Sequence, residues 1–276
     1  MRIARHVVRP LLSGRLVATT VPVASLDAAT REAMWRLYAD HYDRVEAGTF
    51  FADLDAKDDV ILVRDAADDS VQGFTTLQVY PHESAQRRFV IVFSGDTISA
   101  PKYQGQSALQ RAFVRYVMGA VLAARGAPVY WYLISKGFKT YLLLSRNFLE
   151  YWPRHDQPTP PEVVALQDEL GRKRFGRAYR APSEATAEAD LPRVEASASQ
   201  RARVGIVRWD PPGPRLKAGV APIEARALAA ADVRFFLAVN PGHEDGDELC
   251  CLGRLDLAMG MNYLGRWARR VLGRRR

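Results

Sequence analysis

Cysteine is nearly absent: the 276 residues carry only Cys250 and Cys251, side by side. Adjacent cysteines have neither the spacing of a zinc site nor the separated, even set of a disulfide framework, which points to a reducing, cytoplasmic setting. Long apolar runs are missing too. Although 48% of the residues are hydrophobic, no stretch approaches the ~20 apolar residues that cross a bilayer. Met1–Thr20 is basic, but Arg9 and Arg15 interrupt its apolar residues, so the unbroken apolar region of a secretory signal is not there. A broad basic face is also lacking. Of the formal charge of +8, residues 254–276 contribute seven arginines against the single Asp256, a net +6. The rest of the chain is close to neutral, which argues against a nucleic-acid partner. Acidic groups do crowd into Asn240–Asp247. However, His243, Glu244, Asp245 and Asp247 match the spacing of neither a calcium loop nor a zinc helix, so a surface turn without metal is expected there.

What the sequence does have is concentrated in Phe89–Pro153. Phe89–Phe93 is a short run rich in β-branched and aromatic residues and predicts a buried strand. Leu109, Phe113, Tyr116, Val117, Ala120 and Ala124 recur three and four apart, which is helix spacing, and Gly126 closes that helix. Val129–Ile134 predicts a second buried strand. Strand, helix and strand in so short a span form a βαβ unit with parallel strands. Its first turn, Lys102–Ser107, then lies at the amino end of a helix, where unpaired N–H groups and the helix dipole favour an anion. Gly105 allows close backbone approach, and Lys102 and Gln106 add donors. A glycine in such a turn also has a purely geometric explanation.

Upstream, Val17–Ser25 predicts a strand, and Leu26-Asp27 opens a helix carrying Ala33, Leu37, Tyr38 and Tyr42. A short helix around Thr49–Lys57, the apolar strand Val60–Val63, a turn at Ala66–Ser70 and the strand Gln72–Tyr80 follow.

This order, with Lys102-Tyr103-Gln104-Gly105-Gln106-Ser107 after a strand and before a long amphipathic helix, resembles the GNAT superfamily of acyl-CoA-dependent N-acyltransferases. The resemblance covers 17–153, about half the chain. It implies an α/β (α+β) fold with a mixed, centrally splayed sheet flanked by helices. It implies that Lys102, Gln104, Gly105, Gln106 and Ser107 bind the diphosphate of acyl-CoA, or the phosphopantetheine phosphate of an acyl-carrier protein. The family motif has Arg or Gln where Lys102 stands, and Gly or Ala where Ser107 stands. The family's Asn at the start of the next short helix is replaced by Ser135 or Lys136, and Tyr141 lies one to two positions from its usual thiolate-protonating Tyr. On this resemblance Asp96 becomes a general base toward an amine and Tyr141 a general acid. The residues themselves leave open that Asp96 closes a turn and that Tyr141 is a core-edge aromatic.

Beyond Pro153 the texture changes. Residues 154–200 read as an insert or linker containing one helix from Pro160-Pro161-Glu162 to about Arg174, with Ala181–Ser199 exposed and poorly ordered. Residues 201–253 read as a small accessory region or sheet completion, with a strand at Val204–Trp209 and a helix around Ala221–Ala230. In 254–276, Leu264, Trp267, Ala268, Val271 and Leu272 share one helical face beside Arg266, Arg269 and Arg270. That pattern suits an anionic membrane surface, with a peripheral location at the inner face of the membrane, or an acidic carrier protein; the residues leave equally open a packed helix followed by a disordered basic tail. Two functions follow: acyl transfer from a thioester to a small amine acceptor, or a non-catalytic scaffold of the same fold.

Overall fold

The computed structural model describes residues 11–13, 15–103, 106–182, 204–220, 222–263 and 265. In chain order the strands are β1 (Leu11–Ser13), β2 (Leu16–Pro22), β3 (Tyr42–Asp43), β4 (Asp59–Asp65), β5 (Val71–Ser84) and β6 (Arg87–Ser99). They continue with β7 (Val129–Ser135), β8 (Tyr151–Trp152), β9 (Tyr179–Arg180), β10 (Ile206–Val207), β11 (Arg215–Leu216) and β12 (Glu248–Leu255). The α-helices are α1 (Ala28–His41), α2 (Ala47–Asp55), α3 (Ala108–Ala123), α4 (Phe138–Asn147), α5 (Pro161–Phe175) and α6 (Ala231–Val239). The chain forms two compact units, 1–39 with 46–131 and 254–276, and 40–45 with 132–253. The division falls inside β7, ahead of the boundary expected near Pro153.

In the first unit the strands run β1-β2-β4-β5-β6-β7, antiparallel from β1 to β6. β2, α1, α2, β4, β5, β6, α3, β7 is the order that the N-acyltransferase resemblance implies. Asp27 Oδ1 accepts the Thr30 N–H at 2.7 Å and so starts α1. Val60–Val63 are all buried because helices cover both faces of the sheet. On one face Ile61, Val63, Leu77, Leu16 and Ala18 pack against Ala108 and Ala112 of α3. The alanines let the helix backbone sit close to the strands. On the other face Phe74 meets Phe50 of α2, ring centroids 6.2 Å apart, and Tyr38 of α1 stacks on Phe50 at 4.8 Å. β5 and β6 are far longer than the runs Gln72–Tyr80 and Phe89–Phe93, since their polar ends pair as a ladder that hydrophobicity does not mark.

In the second unit β12 is antiparallel to β10 and to β8, β10 is antiparallel to β9, and β7 adjoins β12. Ile206–Val207 is thus the paired part of the predicted Val204–Trp209 strand. The expected helix at Ala221–Ala230 is only a 3-10 turn, Ala225–Ala229, and the regular helix is α6. Asn240–Asp247 is a 3-10 turn at Pro241–Asp245 with Pro241, Glu244 and Asp245 exposed, while its end turns inward: Asp247 is buried, and Arg208 Nε donates to Asp247 Oδ2 at 2.8 Å. Most of Ala181–Ser199, along with Arg266–Arg276, lies outside the described residues; Ala181 itself is buried.

Tyr179 is buried against two glycines, Gly171 and Gly205, where any Cβ would run into its ring or hydroxyl. Gly171→Ala is expected to destabilise the protein by about 1–3 kcal/mol through forced displacement of that ring, measured as a lower midpoint in urea.

Candidate functional site

The register between β5 and β6 changes where the sequence placed its candidate base. Thr75 faces Thr97, but Leu77 faces Ser94, so Gly95 and Asp96 together oppose Thr76. This is a β-bulge, one extra residue on β6. The alternative in which Asp96 closes a turn is corrected: the strand continues to Ser99. Gly95 is required here, since a Cβ would lie 2.5 Å from Thr76 Oγ1. The Thr75 and Thr97 hydroxyls are 2.7 Å apart and tie the far side of the bulge. Asp96 is half-buried, beside an exposed Thr97.

Two further groups flank the bulge. Lys57 is buried, its ammonium 2.6 Å from Asp53 Oδ1 and 5.8 Å from the centre of the Phe93 ring. Trp131 Nε1 donates to Ser94 Oγ at 2.8 Å, both side chains buried, which links β7 to β6 through side chains. Where β7 begins, the Val90 N–H donates to Pro128 O at 2.9 Å.

The predicted anion turn follows β6. Lys102 is exposed, in the 3-10 turn Pro101–Tyr103, with its ammonium 4.9 Å from the Tyr103 ring centre. Gln104 and Gly105 lie outside the described residues. Gln106 is exposed, and Ser107 stands at the N-cap of α3 without a side-chain cap hydrogen bond. The first-turn N–H groups of this 16-residue helix are therefore not taken by the cap side chain. Between Asp96 and Glu150 the sequence has no acidic residue, so no carboxylate from the turn or helix opposes an incoming anion.

Tyr103, read only as a spacer in the motif, is what holds this turn. Its hydroxyl donates to Asp65 Oδ2 at 2.5 Å, while Asp65 Oδ1 accepts from Arg15 Nε at 2.7 Å and from the Ala67 N–H at 3.0 Å. These donors, Tyr103 foremost, lower the Asp65 pKa to about 2. The partner lies 38 residues away in sequence, and nothing in the local pattern signals it.

Tyr141 belongs to the second unit. It is completely buried, its hydroxyl donating to Pro153 O at 2.9 Å, with the rings of Phe236 and Phe235 at 5.9 and 6.1 Å. Burial raises its pKa. The hydroxyl proton is held by a backbone carbonyl, so the packing is that of a core aromatic rather than a thiolate-facing acid. Ser135 Oγ donates to Gly137 O at 2.9 Å, and Lys136 forms a short, largely buried ion pair with Glu248. Neither residue offers the amide function of the missing Asn.

No protein-family model matches the chain, and no curated protein matches it. Solved structures do. A mutant AtaT toxin bound to the C-terminus of the antitoxin AtaR and acetyl-CoA aligns at TM-score 0.35 and 13% identity, over 51% of this chain and 86% of that one. An acyl-CoA N-acyltransferase from Pseudomonas aeruginosa aligns at 0.30 and 19%, over 42% and 78%. ElaA of Escherichia coli aligns at 0.32 and 16%, over 51% and 94%.

Two outcomes are expected. Because the folded-state pKa of Asp65 is depressed, its contribution is present above the unfolded value of about 4 and fades as pH falls toward about 2. Asp65→Asn should therefore lower the unfolding midpoint at pH 7, with the gap to the parent protein narrowing through that acid window. Tyr141→Phe should cost about 1 kcal/mol in urea unfolding, from the lost hydrogen bond to Pro153 O, and leave binding of a thioester donor unchanged.

Proposed function

We propose that the chain is an acyltransferase that moves an acyl group from a pantetheine thioester, carried by CoA or by an acyl-carrier protein, to a small-molecule amine. The observation that carries this reading is the β6 bulge at Gly95–Asp96 leading directly into a basic turn and an uncapped helix start. The bulge supplies a carboxylate on a rigid strand, and the turn supplies an anion site a few residues on. Lys102 and Gln106, with the α3 N–H groups at Ser107, would hold a phosphate of the donor. Gln104 and Gly105 complete the same turn in sequence. Asp96 accepts the proton of the amine nitrogen as that nitrogen bonds to the thioester carbonyl carbon. The C–S bond breaks, the thiolate leaves and takes a proton from solvent, and Asp96 returns its proton to solvent, so that amine and thioester become amide and thiol with the base restored. The donor phosphate anchors the reacting carbon, so the gain in rate comes from orientation as well as from the base.

A non-catalytic scaffold is the second reading, favoured by the engagement of the Tyr141 hydroxyl with Pro153 O. Donor binding and turnover separate the two.

Thermal unfolding with acetyl-, octanoyl- and palmitoyl-CoA, free CoA and an acyl-carrier-protein thioester tests the donor site. A ligand of the folded state raises the midpoint, by about 2.7 kcal/mol of stabilisation at a hundredfold excess over its Kd. At least one pantetheine compound should do so, and Lys102→Glu should abolish the rise. The absence of any rise with the whole panel would contradict the proposal.

A further inference from the structure

The second unit gathers positive charge beside an exposed indole. From Leu170 to Ala181 the sequence carries Arg172, Lys173, Arg174, Arg177 and Arg180, and no acid. Gly176, at φ 52°, ends α5 and leads the chain into β9. β9 is antiparallel to β10, with Tyr179 facing Val207, and the Arg208 N–H donates to Ala178 O at 2.8 Å. One step further along that register, Trp209 comes level with Arg177. Its ring stands edge-on to Phe175, centroids 6.3 Å apart, and it is 41% exposed. Two segments distant in sequence thus form one patch. The near-neutral charge of the chain outside 254–276, which argued against a nucleic-acid partner, averages over this cluster.

The state of each cation decides what the patch can hold. Arg208 is taken by Asp247, and Arg172 by Asp168. Arg180 Nη1 donates to Arg177 O at 2.7 Å, which fixes the guanidinium without neutralising it. Lys173 and Arg177 are exposed, and among the described residues neither has a hydrogen-bond or ion-pair partner. Asp210, exposed beside Trp209, is the single acid within 171–180 and 206–210. Uncompensated ammonium and guanidinium groups attract phosphates or carboxylates alike. The indole separates those two, because it offers a flat ring on which a nucleobase stacks. An acidic peptide answers the charge alone; a nucleic-acid strand with unpaired bases answers charge and ring together. We infer that this patch binds single-stranded nucleic acid, with Lys173, Arg177 and Arg180 on phosphates and Trp209 against a base.

The inference is independent of the acyl-transfer reading and survives its failure. Its test is fluorescence anisotropy of a labelled oligothymidylate titrated with the full chain, with polyglutamate as competitor. Binding is expected to weaken as salt rises, and polyglutamate of matched charge should compete poorly. Lys173→Gln with Arg177→Gln removes two phosphate contacts, so the slope of log K against log salt should become shallower by about 1.4. Trp209→Ala should weaken binding about fivefold or more and leave that slope unchanged. The arginines of 266–276 stay in every variant, so whatever they add is common to all the proteins compared. Should Trp209→Ala unfold, the charge variant, with both changes at exposed positions, still decides. No binding by the parent, equal competition by polyglutamate, or an unaltered salt slope in the charge variant would overturn the inference, as would full affinity in a folded Trp209→Ala.

Discussion

One extra residue in β6 sets the geometry on which the candidate site depends. Side chains along a strand alternate between faces, so a single insertion reverses every later position. Here Ser94 and Thr97, three apart, take the same face as Leu77 and Thr75. Ser94 is thereby turned to Trp131, and Thr97 to Thr75, while Asp96 is carried on the bulge itself. Gly95 makes the insertion possible because Thr76 Oγ1 occupies the space a side chain would need. Among the described residues the buried Thr76 hydroxyl has no hydrogen-bond partner; tolerating such a group is a cost that sites of function commonly carry. A regular ladder would have been more stable locally and would have left Asp96 as an ordinary strand residue.

The second constraint is the anchoring of the turn between β6 and α3. Its groups Lys102 and Gln106 are exposed, so the turn takes its position from the chain on either side. Asp65, at the end of β4, meets that need by gathering Arg15 from the start of β2 and Tyr103 from the turn. Three donors on a carboxylate keep it ionised and so keep the arrangement strong at any pH the protein meets above acid conditions. At the other end, Ala108 and Ala112 set α3 close on the sheet. Turn and helix start are thus fixed from both sides while their polar groups remain outward.

The strands and helices of the first unit were legible because each carries a complete local signal. Val60–Val63 and Val129–Ile134 are apolar runs of strand length, α3 has helix spacing, and Asp27 is a capping residue in the right place. Lys102–Ser107 was legible as a helix-opening turn for the same reason. What stayed hidden depends on partners far apart in sequence. A bulge changes no composition, so Asp96 looked like part of a Gly-Asp turn. Tyr103 owes its role to Asp65, and Tyr141 hands its hydroxyl to Pro153, neither of which any periodicity reveals. The acidic run before β12 looked solvated, and Glu244 and Asp245 are, yet Asp247 at its end and Glu248 at the start of β12 are buried where Arg208 and Lys136 reach them. Pairing across the fold decided that case, as it does for most buried charges.

Asp96 on its bulge is the proposed base, and the release of free thiol reports on it directly. The measurement is thiol appearance from a saturating acyl-CoA in the presence of a panel of primary amines, for the parent protein and for Asp96→Asn. A positioned base contributes roughly 10²–10⁴-fold, so amine-dependent release should fall by about a hundredfold or more in the variant, with donor binding unaltered. Equal amine-dependent rates in the two proteins would contradict the role of Asp96, and the absence of amine-dependent release in the parent across the panel would contradict acyl transfer to an amine.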